Sequence, residues 1–430
     1  MTDARPPLGK SAPTEPLSPV SAVSAATDPA TADPAPAATP RPERITGIDV
    51  ARGVAVLGML SVHVFDTFDS DGTPSVAWAL AAGRSAATFA VAAGVGLAFT
   101  TGGRRPATGR TTTVSVAVRA LLIVALGLAL SCVTVPAELD EVGVVLPYYG
   151  LLFLLVIPLL GCGPRTLACA AAGFAVLAPV LIRALARILP EPDLAIDPTP
   201  GDLLRRPVGL LLELLVFGEY PVLAWMAYLC AGLAVGRLRL TSVRVARWLL
   251  GGGLALAVMA WAAASFVLLR LGGLRQLWRA EFGYLDWAEG REVALWDVPE
   301  NYSWWSLLSR APHSTSPFDM LQTLGSALAL LGALLLLTRS GAVAKLLSPL
   351  AAAGSMPLTF YCLHILFLAT GILGGAPYIQ YAVLVATTLT LAVVWRRVLG
   401  RGPLESLITS ITKRVGRTVA GPSKGDTGER

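Results

Sequence analysis

Four ionisable side chains stand in one apolar stretch near the start of the chain: Asp49, Arg52, His63 and Asp66. Placing such groups among hydrocarbon is costly. They turn toward a protein interior or a wet cavity, and there they mark function. Arg52 and His63 are eleven residues apart. At about 100° per residue that returns nearly to the same helix face, and Asp49 and Asp66 fall within roughly 60° of it. Along the axis, Arg52 and His63 stand roughly 16 Å apart, about half the hydrocarbon thickness. A histidine beside a carboxylate in a low-dielectric cavity is suited to general-base work. Its pKa lies near working pH, and the acid orients the ring. His63 is therefore the candidate base and Asp66 its orienting acid.

The elements that must position these groups are membrane helices. Of the 430 residues, 54% are hydrophobic and 14% charged, against roughly 25% charged in soluble domains. The mean hydropathy is +0.64. The net charge of +6 does not point to nucleic acid, because the basic residues sit in short loops between apolar segments, as membrane orientation requires. The fold class is all-α, a polytopic membrane protein of about ten transmembrane helices. They span roughly 48–66, 76–100, 114–133, 142–161, 166–189, 217–236, 246–269, 318–338, 354–371 and 378–399. Short interfacial helices are expected at 203–216 and 343–353. Residues 1–43 are rich in Pro, Ala, Ser and Thr and lack an apolar signal core, so they read as a disordered tail. Residues 44–400 form the membrane domain and 401–430 a second tail.

Loop charge sets the orientation. Arg104, Arg105, Arg110, Arg165, Arg237, Arg239, Arg244, Arg247, Arg339 and Lys345 fall on one side, with Arg401, Lys413 and Arg414 of the tail. Asp69, Asp71, Glu138, Asp140 and Glu141 fall on the other. Both termini are thus expected in the cytoplasm of a cell bounded by this plasma membrane. The long 270–316 segment is expected outside. It holds five of the ten tryptophans, Trp278, Trp287, Trp296, Trp304 and Trp305, which suit headgroup anchoring or a platform for a sugar ring.

With that topology, Arg84, Glu219, His313, Asp319 and His364 share one depth with His63 and Asp66, toward the outer face. Asp49 and Arg52 lie near the inner face. Arg84 can pair with Asp66 or Glu219. Gly94 and Gly96 suit close helix crossing. The five cysteines, Cys132, Cys162, Cys169, Cys230 and Cys362, form no CxxC pair and read as small buried hydrophobes. No metal-ligand cluster is expected. Nucleophile-elbow, phosphate-loop and dinucleotide-binding glycine patterns are also lacking.

Arg44-x-x-Gly47-Ile-Asp49-Val-Ala-Arg52-Gly-x-Ala, with Gly58-Met59 and Val62-His63 after it, resembles the first helix of the heparan-α-glucosaminide N-acetyltransferase-like family. Pro312-His313-Ser-x-x-Pro-Phe-Asp319, Gly354-x-Met-Pro-Leu-Thr359-x-Tyr361-x-x-His364 and Arg401-Gly-Pro-Leu-Glu405 resemble later motifs of its bacterial DUF418 branch. The resemblance covers most of 44–407. It implies transfer of an acyl group, acetyl in the first instance, from cytoplasmic acyl-CoA to a sugar amine or hydroxyl across the membrane. Asp49 and Arg52 would then hold the acyl-CoA, and His63 would meet the acceptor with Arg84, Glu219, His313, Asp319 and His364. One departure stands out. The mammalian enzyme places its catalytic histidine in the loop after the first helix. Here that loop reads Asp66-Thr-Phe-Asp69-Ser-Asp71, so His63 must replace it in space or the mechanism differs.

A rival reading uses the same polar seam as the path of a transporter or flippase. No inverted repeat is visible in support of it. A third is a non-catalytic membrane partner.

Overall fold

A computed structural model describes residues 45–137, 142–194, 197–299 and 301–420. The tail 1–43, the acidic residues Glu138, Asp140 and Glu141 and the last ten residues lie outside the described residues. Among those described, the regular elements are helices, apart from an isolated bridge between Phe68 and Pro74.

Among the described residues, six helices are long and apolar enough to cross a membrane, or seven if a bent pair counts as one span: Val76–Thr100, Arg110–Thr134, Pro164–Ala186, Val243–Arg270, Pro317–Leu337 and Pro377–Val398. The other four expected segments are present but short or bent. Thr46–Val62 has 17 residues, Leu146–Leu155 has 10 and Pro357–Leu368 has 12. The fourth, Pro207–Phe217 followed by Val222–Gly236, bends by 61°. A 12-residue helix rises only about 18 Å, well short of a bilayer core of roughly 30 Å. Helix ends therefore fall inside the bundle, and their polar groups need partners there.

The causes of the interruptions are local. Gly83, at φ +68°, splits Val76–Ala81 from Arg84–Thr100. The π-turn Glu213–Phe217 runs into Gly218-Glu219-Tyr220-Pro221, where proline cannot continue the ladder. Pro357 opens the short helix that carries His364.

The core centres on Val222–Gly236, in which every residue but Leu223 is buried. It crosses Arg84–Thr100 where Gly94 meets Gly232. A Cβ on Gly94 would run into the backbone of Leu229 and one on Gly232 into Val91, so the two backbones touch directly. Gly96 has a different role, since Arg52 lies over it. The region 270–316 is not an open loop. It holds the helices Gly273–Glu281 and Trp287–Trp296 and the 3₁₀ turn Trp304–Leu308, with a small core of Leu268, Leu274, Leu277, Phe282, Ala294 and Leu295. Trp278 packs edge-on against Trp287. Trp304 and Trp305 remain exposed.

The expected C-terminal tail begins as structure. Pro403–Ala420 is an amphipathic helix lying along Arg110–Thr134. Its Glu405 carboxylate accepts from Leu358 N–H at 2.8 Å, Thr359 N–H at 3.1 Å and the Thr359 hydroxyl at 2.6 Å. A carboxylate at a helix N-terminus satisfies orphan donors and complements the dipole.

Candidate functional site

His63 ends the Thr46–Val62 helix as its C-cap residue, with backbone still in the right-handed helical region. Its Nδ1 lies 3.0 Å from His364 Nε2. The two rings stack at 5.2 Å between centroids and 18° between planes. His364 Nδ1 faces the Phe360 carbonyl at 3.2 Å, one turn back on its own helix. A carbonyl only accepts, so His364 carries its proton on Nδ1 and offers a lone pair at Nε2. His63 Nδ1–H must donate into that lone pair. His63 Nε2 is then left unprotonated, as a base. The tautomers are assigned from these partners.

Among the described residues, no hydrogen bond or ion pair joins Asp66 to His63. Asp66 is exposed, and among the described residues it has neither a hydrogen-bond nor an ion-pair partner. The helix stops at Val62, so the three-residue step from His63 to Asp66 no longer returns to the same face. His364 occupies the position expected of Asp66.

His313 is the third histidine of the cluster, near enough to bear on His63 electrostatically. Its Nε2 accepts from the Gly83 N–H at 3.0 Å. That places its proton on Nδ1, which is buried without a hydrogen-bond partner and lies 3.8 Å from Glu219 Oε1. Burial holds the His313 pKa down to about 4, so the ring is neutral near pH 7. Tyr220 meets it edge-on at 5.6 Å, and Trp78 tilts against it at 6.1 Å. Gly83 serves twice here. Its positive φ lets the helix break, and a Cβ would sit 3.3 Å from Thr323 Cγ2 and 3.6 Å from the His313 backbone N.

Arg84 opens the helix after that break and donates to the Ala79 carbonyl at 2.9 Å. Its electrostatic partner is Asp319, not Asp66 or Glu219. Asp319 is buried at the start of Pro317–Leu337 and accepts from Thr315 N–H at 3.3 Å. A cavity of about 410 Å³ adjoins Arg84, walled by Val54, Leu57, Gly58, Leu80, Ser85, Thr88, Ser326 and Leu330 among others. None of the three histidines lines it.

At the opposite end of the first helix, Arg52 Nη1 lies 3.4 Å from Asp49 Oδ1. Its Nη2 donates to the Ala92 carbonyl at 2.8 Å. Asp49 is buried and the Arg52 side chain is 21% exposed. The structure thus separates the candidates into two groups, Asp49–Arg52 at one end and His63, His364, His313, Glu219, Arg84 and Asp319 at the other.

Sequence reasoning missed several residues that build the second group. Tyr361 stacks edge-on with His364 at 5.3 Å, and its hydroxyl accepts from Val145 N–H at 3.0 Å. Its place three residues before His364 was the available signal. Asp197 bridges the Thr134 hydroxyl and Val144 N–H at 2.5 and 2.7 Å, tying two helix ends together. Arg183 is buried and donates to the Ser314 carbonyl at 2.9 Å. Nothing in its local sequence distinguishes it from a flanking arginine. Among the described residues, no group of three or more His, Cys, Asp or Glu side chains is placed to hold a metal ion.

Two protein families match the chain. Residues 44–269 match the family described as heparan-alpha-glucosaminide N-acetyltransferase, catalytic. Residues 290–414 match a family described as protein of unknown function, DUF418. Comparison with curated proteins returned no match.

Proposed function

The chain belongs to the heparan-alpha-glucosaminide N-acetyltransferase catalytic family, and from that premise we propose that it moves an acyl group from cytoplasmic acyl-CoA to a sugar amine or hydroxyl at the outer face. Acetyl is the proposed acyl group, and acetyl-CoA the donor substrate. The observation that carries this reading is the His63–His364 pair, with Nδ1 and Nε2 3.0 Å apart. It fixes one histidine ring and leaves a basic nitrogen available on it.

In the proposed reaction, His63 Nε2 takes the proton of the acceptor amine or hydroxyl as that group attacks the thioester carbonyl. A C–N or C–O bond forms, the C–S bond breaks, and CoA leaves as a thiolate that takes the proton from the His63 imidazolium, returning His63 to its neutral form. His364 holds the ring and accepts a hydrogen bond from the Nδ1–H as the imidazolium forms. His313 Nδ1–H and Glu219, facing across 3.8 Å, offer a donor and an acceptor to a polar acceptor group. Arg84 and Asp319 complete that end. Arg52 and Asp49 form the donor end, where a guanidinium suits the phosphates of CoA while the acyl end extends toward His63.

The same reading places 44–400 as the acyltransferase domain in the plasma membrane, with both termini in the cytoplasm. Support comes from the basic residues near the Arg52 end: Arg52 lies against Gly96, and farther along the same chain segment Arg237 donates to the Gly103 carbonyl next to Arg104. The test is transfer of label from [acetyl-¹⁴C]acetyl-CoA to glucosamine or N-acetylglucosamine by purified protein in proteoliposomes. Label in the sugar supports the proposal. Uptake of intact acceptor or donor without covalent transfer favours the transporter reading instead.

A further inference from the structure

We propose that Arg183, together with Tyr302, is a positioning residue that fixes His313 and Glu219 relative to each other. The inference rests on the reading of those two groups as the holders of the acceptor.

Arg183 stands in the last turn of Pro164–Ala186 and is 4% exposed. Its Nη2 donates to the carbonyl of Ser314 at 2.9 Å, the residue after His313. Its guanidinium lies over the Tyr302 ring at 5.1 Å. The Tyr302 hydroxyl donates to the Phe217 carbonyl at 2.8 Å, and the Tyr302 ring meets Phe217 edge-on. Phe217 closes the π-turn two residues before Glu219. One side chain therefore reaches both arms of the 3.8 Å gap, His313 through Ser314 and Glu219 through Tyr302 and Phe217.

The backbone explains why such a clamp is needed. Tyr302, His313 and Thr315 all have positive φ, at 49°, 65° and 51°. For bulky or β-branched residues that conformation is costly and persists only where its surroundings over-determine it. Here the surroundings are a buried guanidinium on a carbonyl and a ring, and a hydroxyl on a second carbonyl. Arginine is suited to this dual contact because its plane stacks while its fork donates; lysine has only a point charge.

The test uses the full chain in nanodiscs with ¹⁵N-labelled histidine, where only three histidines contribute. In Arg183→Gln, the His313 ring nitrogens should shift and its titration should move up toward 6.5, while His63 and His364 keep their wild-type tautomers. Arg183→Lys should give a partial shift. Tyr302→Phe, which removes one hydroxyl, is the milder variant and decides the matter if Arg183→Gln does not fold. Unchanged His313 signals in a folded variant would overturn the inference. This readout needs no turnover, so it stands even if the wild type transfers no acyl group. Where transfer is measured, kcat/KM for the acceptor should fall about tenfold or more, because small misplacements of a held group are costly. Acyl-CoA affinity should be unchanged.

Discussion

His63 Nδ1 sits 3.0 Å from His364 Nε2, although 301 residues separate them in the chain. The contact joins the end of the first helix to the middle of a short, proline-started one. It turns two neutral rings into a directional chain that ends on the Phe360 carbonyl. The proposed base is thus oriented by a second histidine, with no carboxylate bonded to it.

Replacing His364 by Phe should keep the stacking and remove the lone pair. His63 Nε2 then loses its fixed tautomer. The expected result is a turnover loss on the order of 10² with acyl-CoA affinity retained, since poor orientation of a catalytic group has costs of that size. A ¹⁵N histidine spectrum should show His63 moving from a single tautomer to a mixture.

The alternation of apolar runs made the ten helical segments legible, because a spanning helix needs about twenty apolar residues and loops between them are short. The depth shared by His63, His313, His364, Glu219 and Asp319 was legible for the same reason. Partner identity was not. The His63–Asp66 pairing assumed that the helix runs on to Asp66, whereas it ends at Val62. The Arg84–Asp319 relation depends on the Gly83 break. Arg183 and Tyr302 act through carbonyls, which leave no trace in side-chain spacing.

Gly83→Ala should destabilise the protein by about 1–3 kcal/mol, since a non-glycine residue at positive φ is strained. The added methyl also crowds Thr323 and the His313 backbone. The measurement is the melting temperature in detergent, paired with the His313 signal. A melting temperature equal to wild type would remove Gly83 from the site's framework.

Acid should destabilise the fold through His313. Its pKa is about 4 in the folded chain, against 6.5 ordinarily. Between those values the unfolded chain binds the proton and the folded chain does not. Stability therefore falls as pH drops from about 6.5 toward 4 and is flat above about 7, with a full effect on the order of 3 kcal/mol. Thermal melts of wild type and His313→Phe from pH 7.5 to 4.5 should differ in slope, the variant being flatter.

Arg52→Ala should weaken acyl-CoA binding roughly tenfold or more, given the strength of charged hydrogen bonds. Isothermal titration in nanodiscs, with His63→Ala as the control of unchanged affinity, checks it. Equal affinity in folded Arg52→Ala would confine Arg52 to its contacts with Asp49 and Ala92.

The most direct test of the account is turnover per folded molecule in His63→Ala, measured beside His313→Ala and alongside acyl-CoA affinity. Loss of a general base costs on the order of 10²–10⁴ in rate. A loss of that size is expected in His63→Ala with affinity and folding retained, and a smaller loss in His313→Ala, expressed mainly in KM for the acceptor. Normal turnover in His63→Ala with none in His313→Ala would contradict it and place the base on the outer turn.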